Sequence, residues 1–304
     1  MIVDIPEASD FEQTGLDYLN LAADHVFSIL HMLDESGFED TWEEEIREFW
    51  RASQRQFASA LALVQQGTEF LIKARIADVS PFLLIAGGAR DLPRGAETRD
   101  VPFAEFRTVD AQDLVRLYNA VSAKRLDRSF AGQLESLRKR RNTIMHSIDP
   151  SLEVTAKEII LYGLECVHEL VAPMRWMSIR RAYADRTPAS AIGADEYIEM
   201  QFLREADQLI HLLSRTELRK YSGFVNNQRS YCCPVCQSRD GYRDKPLLTA
   251  QLRPNTSTST SIYCFVCEQS TAVRWVDCPE SDCRGNVMGT SDQRCLTCSM
   301  IAAA

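Results

Sequence analysis

Residues 134–146 read Leu134-Glu135-Ser136-Leu137-Arg138-Lys139-Arg140-Arg141-Asn142-Thr143-Ile144-Met145-His146, and their pattern decides how the chain is understood. Leu134, Leu137, Ile144, Met145 and, just beyond, Ile148 recur at spacings that predict one helix with an apolar stripe. Arg141 falls on that stripe, seven residues after Leu134 and four after Leu137. A guanidinium there is costly to desolvate unless an anion meets it. Asn142 and His146 stand four apart, so their side chains share a second face. An arginine, an amide and an imidazole within six residues make a set suited to handling a phosphodiester.

The surrounding charge fits an anionic polymer. The chain of 304 residues carries a net charge of −9, but residues 1–50 hold 14 Asp and Glu against Arg47 alone, so the remainder sums to +4. Within that remainder, residues 124–141 contain seven Lys and Arg against Asp127 and Glu135. Lys124, Arg125, Arg128, Arg138, Lys139 and Arg140 are therefore candidate RNA contacts beside the motif. The other reading of this run is a solvated basic helix face answered by the acidic N-terminal helices.

Arg141-Asn142-Thr143-Ile144-Met145-His146 resembles the signature of the HEPN superfamily: an arginine, a polar residue that is often asparagine, a few variable residues, then histidine. Glu69-Phe70-Leu71-Ile72-Lys73, followed by Ser80-Pro81-Phe82, looks like the second long helix of the same superfamily. The resemblance covers roughly residues 10–185. Some members carry a tyrosine two residues after the histidine. Ile148 stands there in this chain, so any role of that tyrosine is absent.

The chemistry expected of these residues is metal-independent RNA cleavage, in which the ribose 2′-hydroxyl attacks the neighbouring phosphorus. The products are a 2′,3′-cyclic phosphate and a 5′-hydroxyl. His146 would serve as general base for the 2′-hydroxyl or general acid for the leaving oxygen, since imidazole titrates near ~6.5. Arg141 would hold the phosphate and stabilise the charge that gathers on it, while Asn142 orients His146 or bonds the same phosphate. Five residues apart, Arg141 and His146 point about 140° from each other on a straight helix. Two motif helices brought together by a two-fold axis would overcome that divergence. The resemblance implies the same arrangement, and hence a homodimer. It also implies a bacterial defensive or toxin-like setting, with an antitoxin or regulatory protein as a further partner. The rival expectation is a non-catalytic module that binds RNA or protein.

Elsewhere the pattern predicts helices over residues 9–35, over residues 41–77 with a capping box at Thr41 and Glu44, and over residues 110–123. Gly67 offers a place for a bend in the second of these. Residues 80–107, with Gly87-Gly88, Pro93, Gly95 and Pro102, read as a long loop. Asp149-Pro150 stops the motif helix. A capping box at Thr155 and Glu158 opens a further helix running through Met174, with Pro173 as a kink; Cys166 and His168 within it read as packing residues. Residues 186–193 suit a linker, and a last helix over residues 194–221 carries Ile198, Phe202, Leu209 and Leu213 on one side.

Nine of the ten cysteines follow residue 231. Cys233-Pro234-Val235-Cys236 and Cys264-Phe265-Val266-Cys267 form two knuckles, and Cys278, Cys283, Cys295 and Cys298 are enough for a second site. Paired cysteines in a chain with no recognisable export signal point to metal rather than disulfides. One or two structural Zn2+ ions are expected, each closed by four thiolates with no open position for substrate. Cys232 is spare or replaces Cys233, and sequence leaves open whether knuckles pair in order or cross over. A tail of about 80 residues with few large apolar side chains should draw its folding energy from the metal. It is close to neutral, with eight basic and seven acidic residues from Phe224 onward, so nucleic acid and protein are equally suitable partners for it.

The expected architecture is mainly α: a HEPN-like helical bundle over residues 1–185, a linker and connecting helix over 186–223, and a small Cys-rich zinc-ribbon domain with short β-strands over 224–304. No apolar run approaches bilayer-spanning length, and the N-terminus lacks the basic start and apolar core of a signal peptide. A cytoplasmic protein without a membrane partner is expected.

Overall fold

The structure, a computed structural model, describes residues 1–37, 42–88, 91–146, 153–225, 227–239 and 247–301, without the side chains of Met145, His146, Asp195, Ser238 and Arg239. It divides into two compact units, Met1–Pro173 and Met174–Ala304. Thr41, part of Gly87-Gly88-Ala89-Arg90, Ile148 and Asp149-Pro150 lie outside the described residues. Among the described residues no helix is long and apolar enough to cross a membrane.

The first unit is helical. Helices α1 (Ala8–Glu35) and α2 (Glu43–Ala77) pack along each other, and α3 (Ala111–Val121), α4 (Arg128–His146) and α5 (Ala156–Leu170) lean on α2. The core comes from the stripes that periodicity marks: Leu19, Val26, Leu61, Val64, Leu71, Leu114, Leu137 and Ile160 are all buried. Burying such side chains contributes roughly 1.5–3 kcal/mol each, which outweighs modest helix propensity. Strand β1 (Ile2–Val3) runs parallel to β2 (Val101–Pro102), and the N-terminal amine pairs with Asp100, so the chain start is fastened to the loop over residues 80–107.

Gly15 and Gly67 meet where α1 crosses α2. A Cβ on Gly15 would stand 2.9 Å from the Gly67 carbonyl oxygen, and one on Gly67 would stand 2.8 Å from the Gly15 oxygen. Gly67, a candidate bend by sequence, is therefore a point of close backbone approach. Gly67→Ala is expected to destabilise by about 1–3 kcal/mol through overpacking, more than the roughly 1 kcal/mol gained in helix propensity. Urea unfolding measures this, and an unchanged or raised midpoint would contradict it.

Two helix boundaries differ from expectation. The helix that begins at Thr155, whose hydroxyl accepts from the Glu158 amide at 3.2 Å, ends at Leu170 instead of running kinked through Met174. Pro173 brings no N–H and crowds the preceding turn, so the helix stops short of it and α6 (Trp176–Ala184) starts afresh. The predicted helix over residues 194–221 is two: α8 (Asp195–Leu212) and α9 (Arg215–Ser222), following a short α7 (Pro188–Ala191). Ser214 caps α9, with the Glu217 carboxylate accepting from the Ser214 amide at 2.6 Å.

The second unit joins α6–α9 to a Cys-rich sheet. Strands β3 (Ser230–Tyr231), β4 (Ala250–Leu252), β5 (Ser261–Cys264), β6 (Ser270–Trp275) and β7 (Val287–Gly289) form an antiparallel meander in chain order, with α10 (Pro234–Arg239) after β3. The helices are tied to the sheet by side chains: Ser178 Oγ donates to Glu268 Oε2 at 2.5 Å, and Arg175 lies over the Tyr263 ring. Phe224 packs on Phe265 with ring centroids 5.2 Å apart. Tyr231, Ile262, Phe265, Val273 and Leu296 are buried, a small apolar core that the sequence had not suggested.

Candidate functional site

The cysteines assemble into two sets of four: Cys233, Cys236, Cys264 and Cys267, and Cys278, Cys283, Cys295 and Cys298. The knuckles pair in order and do not cross. Within the first set Cys233 and Cys267 sulfurs stand 3.6 Å apart and Cys236 and Cys264 3.8 Å. The second set gives 3.7 Å for Cys278 and Cys298 and 3.8 Å for Cys283 and Cys295. A disulfide needs about 2.05 Å. Four thiolates at ~2.3 Å from a tetrahedral ion stand about 3.8 Å from one another, so the donor sets fit a metal ion each.

The local sequence builds these sets. Cys264 ends β5, is 1% exposed, and lies 3.1 Å from the Thr249 hydroxyl. The Gly285 amide donates to Cys283 Sγ at 3.3 Å, and a Cβ at Gly285 would stand 2.6 Å from Cys295 Sγ. Crowding splits the thiols: neighbouring sulfurs push Cys236 up, burial pushes Cys264 up, and hydrogen bonds from Cys233 and its neighbours hold Cys267 well below the usual range. A divalent ion resolves that conflict by stabilising all four thiolates together. Cys232 belongs to neither set; it is buried and accepts from Ser299 Oγ at 3.2 Å.

Cys166 is buried, pushed up to about 12 by burial, and shares a 2.9 Å hydrogen bond with Thr68, in keeping with a packing role. His168 is exposed, which removes it from that role, and neither residue joins a metal-ligand group among the described residues.

The helical unit brings the motif to α4. Leu137 is buried while Leu134, Arg141, Asn142 and Ile144 are half-buried, so Arg141 sits at the border of the core-facing stripe. Its Nη1 donates to Asn142 Oδ1 at 3.3 Å, and among the described residues no carboxylate lies within ion-pair distance of it. Its charge still acts on Glu69 of α2. His146 is the last described residue of α4, and its side chain lies outside the described residues.

The six basic candidates divide in two. Lys124 and Arg125, in the segment before α4, and Arg128, its first residue, are exposed, with no carboxylate in ion-pair range among the described residues. Arg138 donates twice to Glu135 at 3.0 and 2.9 Å, and Lys139 lies 3.5 Å from the same carboxylate. Arg140 is held by the Glu158 carboxylate and donates to the Glu153 carbonyl at 2.8 Å, fastening α4 to the start of α5. In the tail, Arg229 donates to Asn286 and stacks over Tyr231, and Arg253 stacks over Tyr263. Arg239's side chain, Arg243 and Lys245 lie outside the described residues.

The facing surfaces of α2, α3 and α4 leave a cleft of about 210 Å³, whose last lining residues on α4, Leu137 and Arg138, stand one helical turn before Arg141. Ile72, Leu114 and Leu134 contribute apolar wall, and Gln65, Glu69, Gln112 and Arg138 contribute polar groups. Sequence reading passed over this cleft, although it had noted Glu69. Burial pushes the Glu69 carboxyl up, against the opposing pull of its Gln65 hydrogen bond and of Lys73, Arg141 and Arg138. A carboxyl raised by folding lends stability in its neutral form, fully present below the unfolded value near ~4.3 and lost as pH climbs through the folded value. Glu69→Gln is therefore expected to raise the melting temperature at neutral pH and to leave it unchanged below about pH 4. Melting curves across pH check this, and a lower melting temperature at pH 7 would contradict it.

Compared with protein-family models, with curated proteins and with solved structures, the chain finds no match.

Proposed function

We propose that this chain is a HEPN-like, metal-independent endoribonuclease whose Cys-rich unit is held by two structural Zn2+ ions. The observation that carries the reading is Arg141: a half-exposed guanidinium on α4, bonded only to the adjacent Asn142 among the described residues, in the turn before His146 and one turn after the cleft-lining Leu137 and Arg138. A cation left without a carboxylate at a core border is well placed to meet a phosphate. Exposed Arg128 opens the same helix about 20 Å before Arg141, and exposed Lys124 and Arg125 lie in the segment leading into it, a span along which an RNA backbone can be followed.

In this reading the 2′-hydroxyl oxygen forms a bond to phosphorus while the bond to the 5′-oxygen breaks. His146 takes the hydroxyl proton or supplies one to the leaving oxygen, Arg141 neutralises the pentacoordinate phosphate, and Asn142 holds Arg141 or His146 in place. A second copy of the chain, related by a two-fold axis, completes the cleft with its own motif helix. The two closed four-cysteine sets serve folding, because tetrathiolate coordination leaves no position for substrate. A toxin-like role restrained by an antitoxin or regulatory protein follows from the resemblance in the motif, and a cytoplasmic setting from the absence of a recognisable export signal in the sequence.

The test is an RNA digest by the zinc-loaded full chain with no added divalent ion, beside Arg141→Ala and His146→Ala. Cleavage that depends on both residues supports the reading. RNA binding without cleavage by the wild-type chain would overturn it in favour of a non-catalytic module.

A further inference from the structure

Glu69 is the unsettled group in the helical unit. Its Oε1 accepts from Gln65, but among the described residues its Oε2 has no hydrogen bond and no cation lies within ion-pair distance. Glu69 is half-buried, and its second oxygen is left to accept from donors outside the chain. The cleft it lines is open, and about 210 Å³ is smaller than the roughly 300–1,000 Å³ of pockets that take drug-sized ligands. That size suits a single planar ring system. Ile72, Leu114 and Leu134 are aliphatic lining fit to cover ring faces, and polar groups reach the cleft from α2 and α4.

Arg138 of α4 lines the same cleft as Glu69. Its Nε and Nη2 are taken by Glu135, while its Nη1 has no hydrogen bond among the described residues. The cleft lining thus includes a carboxylate acceptor on α2 and a guanidinium donor on α4, each acting on the other's charge from beyond ion-pair distance. Leu134, Leu137, Arg138 and Arg141 fall on one side of α4, so the cleft and Arg141 are about one helical turn, ~5.4 Å, apart. That is comparable with the step from a phosphate to the base of its own nucleotide.

We infer that this cleft is a base-binding subsite selective for an unpaired guanine on the nucleotide whose phosphate Arg141 engages. The inference rests on the nuclease reading above. Guanine alone among the four bases presents two adjacent N–H donors, N1 and N2, beside the acceptor O6. The donors match Glu69 and the acceptor matches Arg138. Adenine and cytosine turn a ring-nitrogen acceptor toward the carboxylate, and uracil has one donor only. Because this edge is hidden in a duplex, the substrate is single-stranded.

The test uses synthetic single-stranded RNAs with one variable position in a fixed context, carrying guanosine, inosine or adenosine, cut by the full zinc-loaded chain. Binding of 3′-GMP and 3′-IMP is measured in parallel. Guanosine is expected to exceed adenosine by roughly 5- to 100-fold, the discrimination of a good paired contact, with inosine between them because it lacks the N2 amino group. Glu69→Gln should bring the guanosine-to-inosine ratio close to one in cleavage and in binding. Arg141-dependent cleavage without guanosine preference overturns the subsite and leaves the nuclease standing. Absence of all cleavage overturns the nuclease, and the mononucleotides then decide the cleft alone: equal binding of 3′-GMP and 3′-IMP by the wild-type chain overturns it.

Discussion

Cys264→Ser is expected to lower the metal content of the chain from two ions to one and to unfold the sheet around β5. Cys264 is nearly inaccessible, bonds to Thr249, and leads directly into Phe265 and Val266 of the small core. Apparent binding energies of structural zinc are about 10–16 kcal/mol, as large as the entire ~5–15 kcal/mol stability of a typical domain. Removing one of four thiolates therefore outweighs what Tyr231, Ile262, Val273 and Leu296 can supply by burial. Metal analysis together with hydrogen exchange over residues 230–301 reads both effects. Cys232→Ser is the control, since that thiol stands outside both sets and should leave two ions in place. Retention of two ions by Cys264→Ser, or loss of one by Cys232→Ser, would refute the assignment.

The second large effect concerns the motif. Arg141→Ala is expected to reduce RNA cleavage by about 10²–10³-fold, the usual consequence of removing one group that meets transition-state charge. His146→Ala should cost about 10²–10⁴-fold, the range for a lost acid–base group. Arg141 is half-exposed and bonds only to its neighbour Asn142 among the described residues, so its removal should barely move the melting temperature. Arg140→Ala makes the contrast. That guanidinium joins α4 to Glu158 and the Glu153 carbonyl, and its loss should lower stability while leaving the rate per folded molecule within a few-fold. If Arg141→Ala instead destabilises the fold and spares the rate, its role is architectural.

What could be read from sequence was local. The Cys spacing located both ligand sets, the apolar repeats located α1, α2 and α4, and Thr155-Glu158 marked the start of α5. The break before α9 was also written in the chain, as Ser214 followed by Glu217, but the apolar repeat carried across it and hid the cap. What escaped notice depends on residues far apart. Glu69 and Arg138 line one cleft only because α2 and α4 pack together, and no periodicity in either helix announces it. Arg140 reads in the sequence as a phosphate contact, whereas the fold sets the Glu158 carboxylate against it. Residues 174–223 read as the end of one domain and a linker, yet Ser178 and Arg175 reach Glu268 and Tyr263 of the sheet. The pairing order of the knuckles follows from the meander β3–β4–β5, which sets Cys233 and Cys236 beside Cys264 and Cys267, and from β6–β7 for the second set, which a spacing rule cannot specify.

The most direct measurement is a single substitution in the substrate. An RNA cut at one position by the full chain is resynthesised with 2′-deoxyribose on the nucleotide whose 2′-hydroxyl would attack, and both are incubated without added divalent ions. The account predicts a 2′,3′-cyclic phosphate end from the all-ribose strand and an intact deoxy-substituted strand. Cutting of the deoxy-substituted strand at the same bond, or no cutting of any RNA, would contradict it.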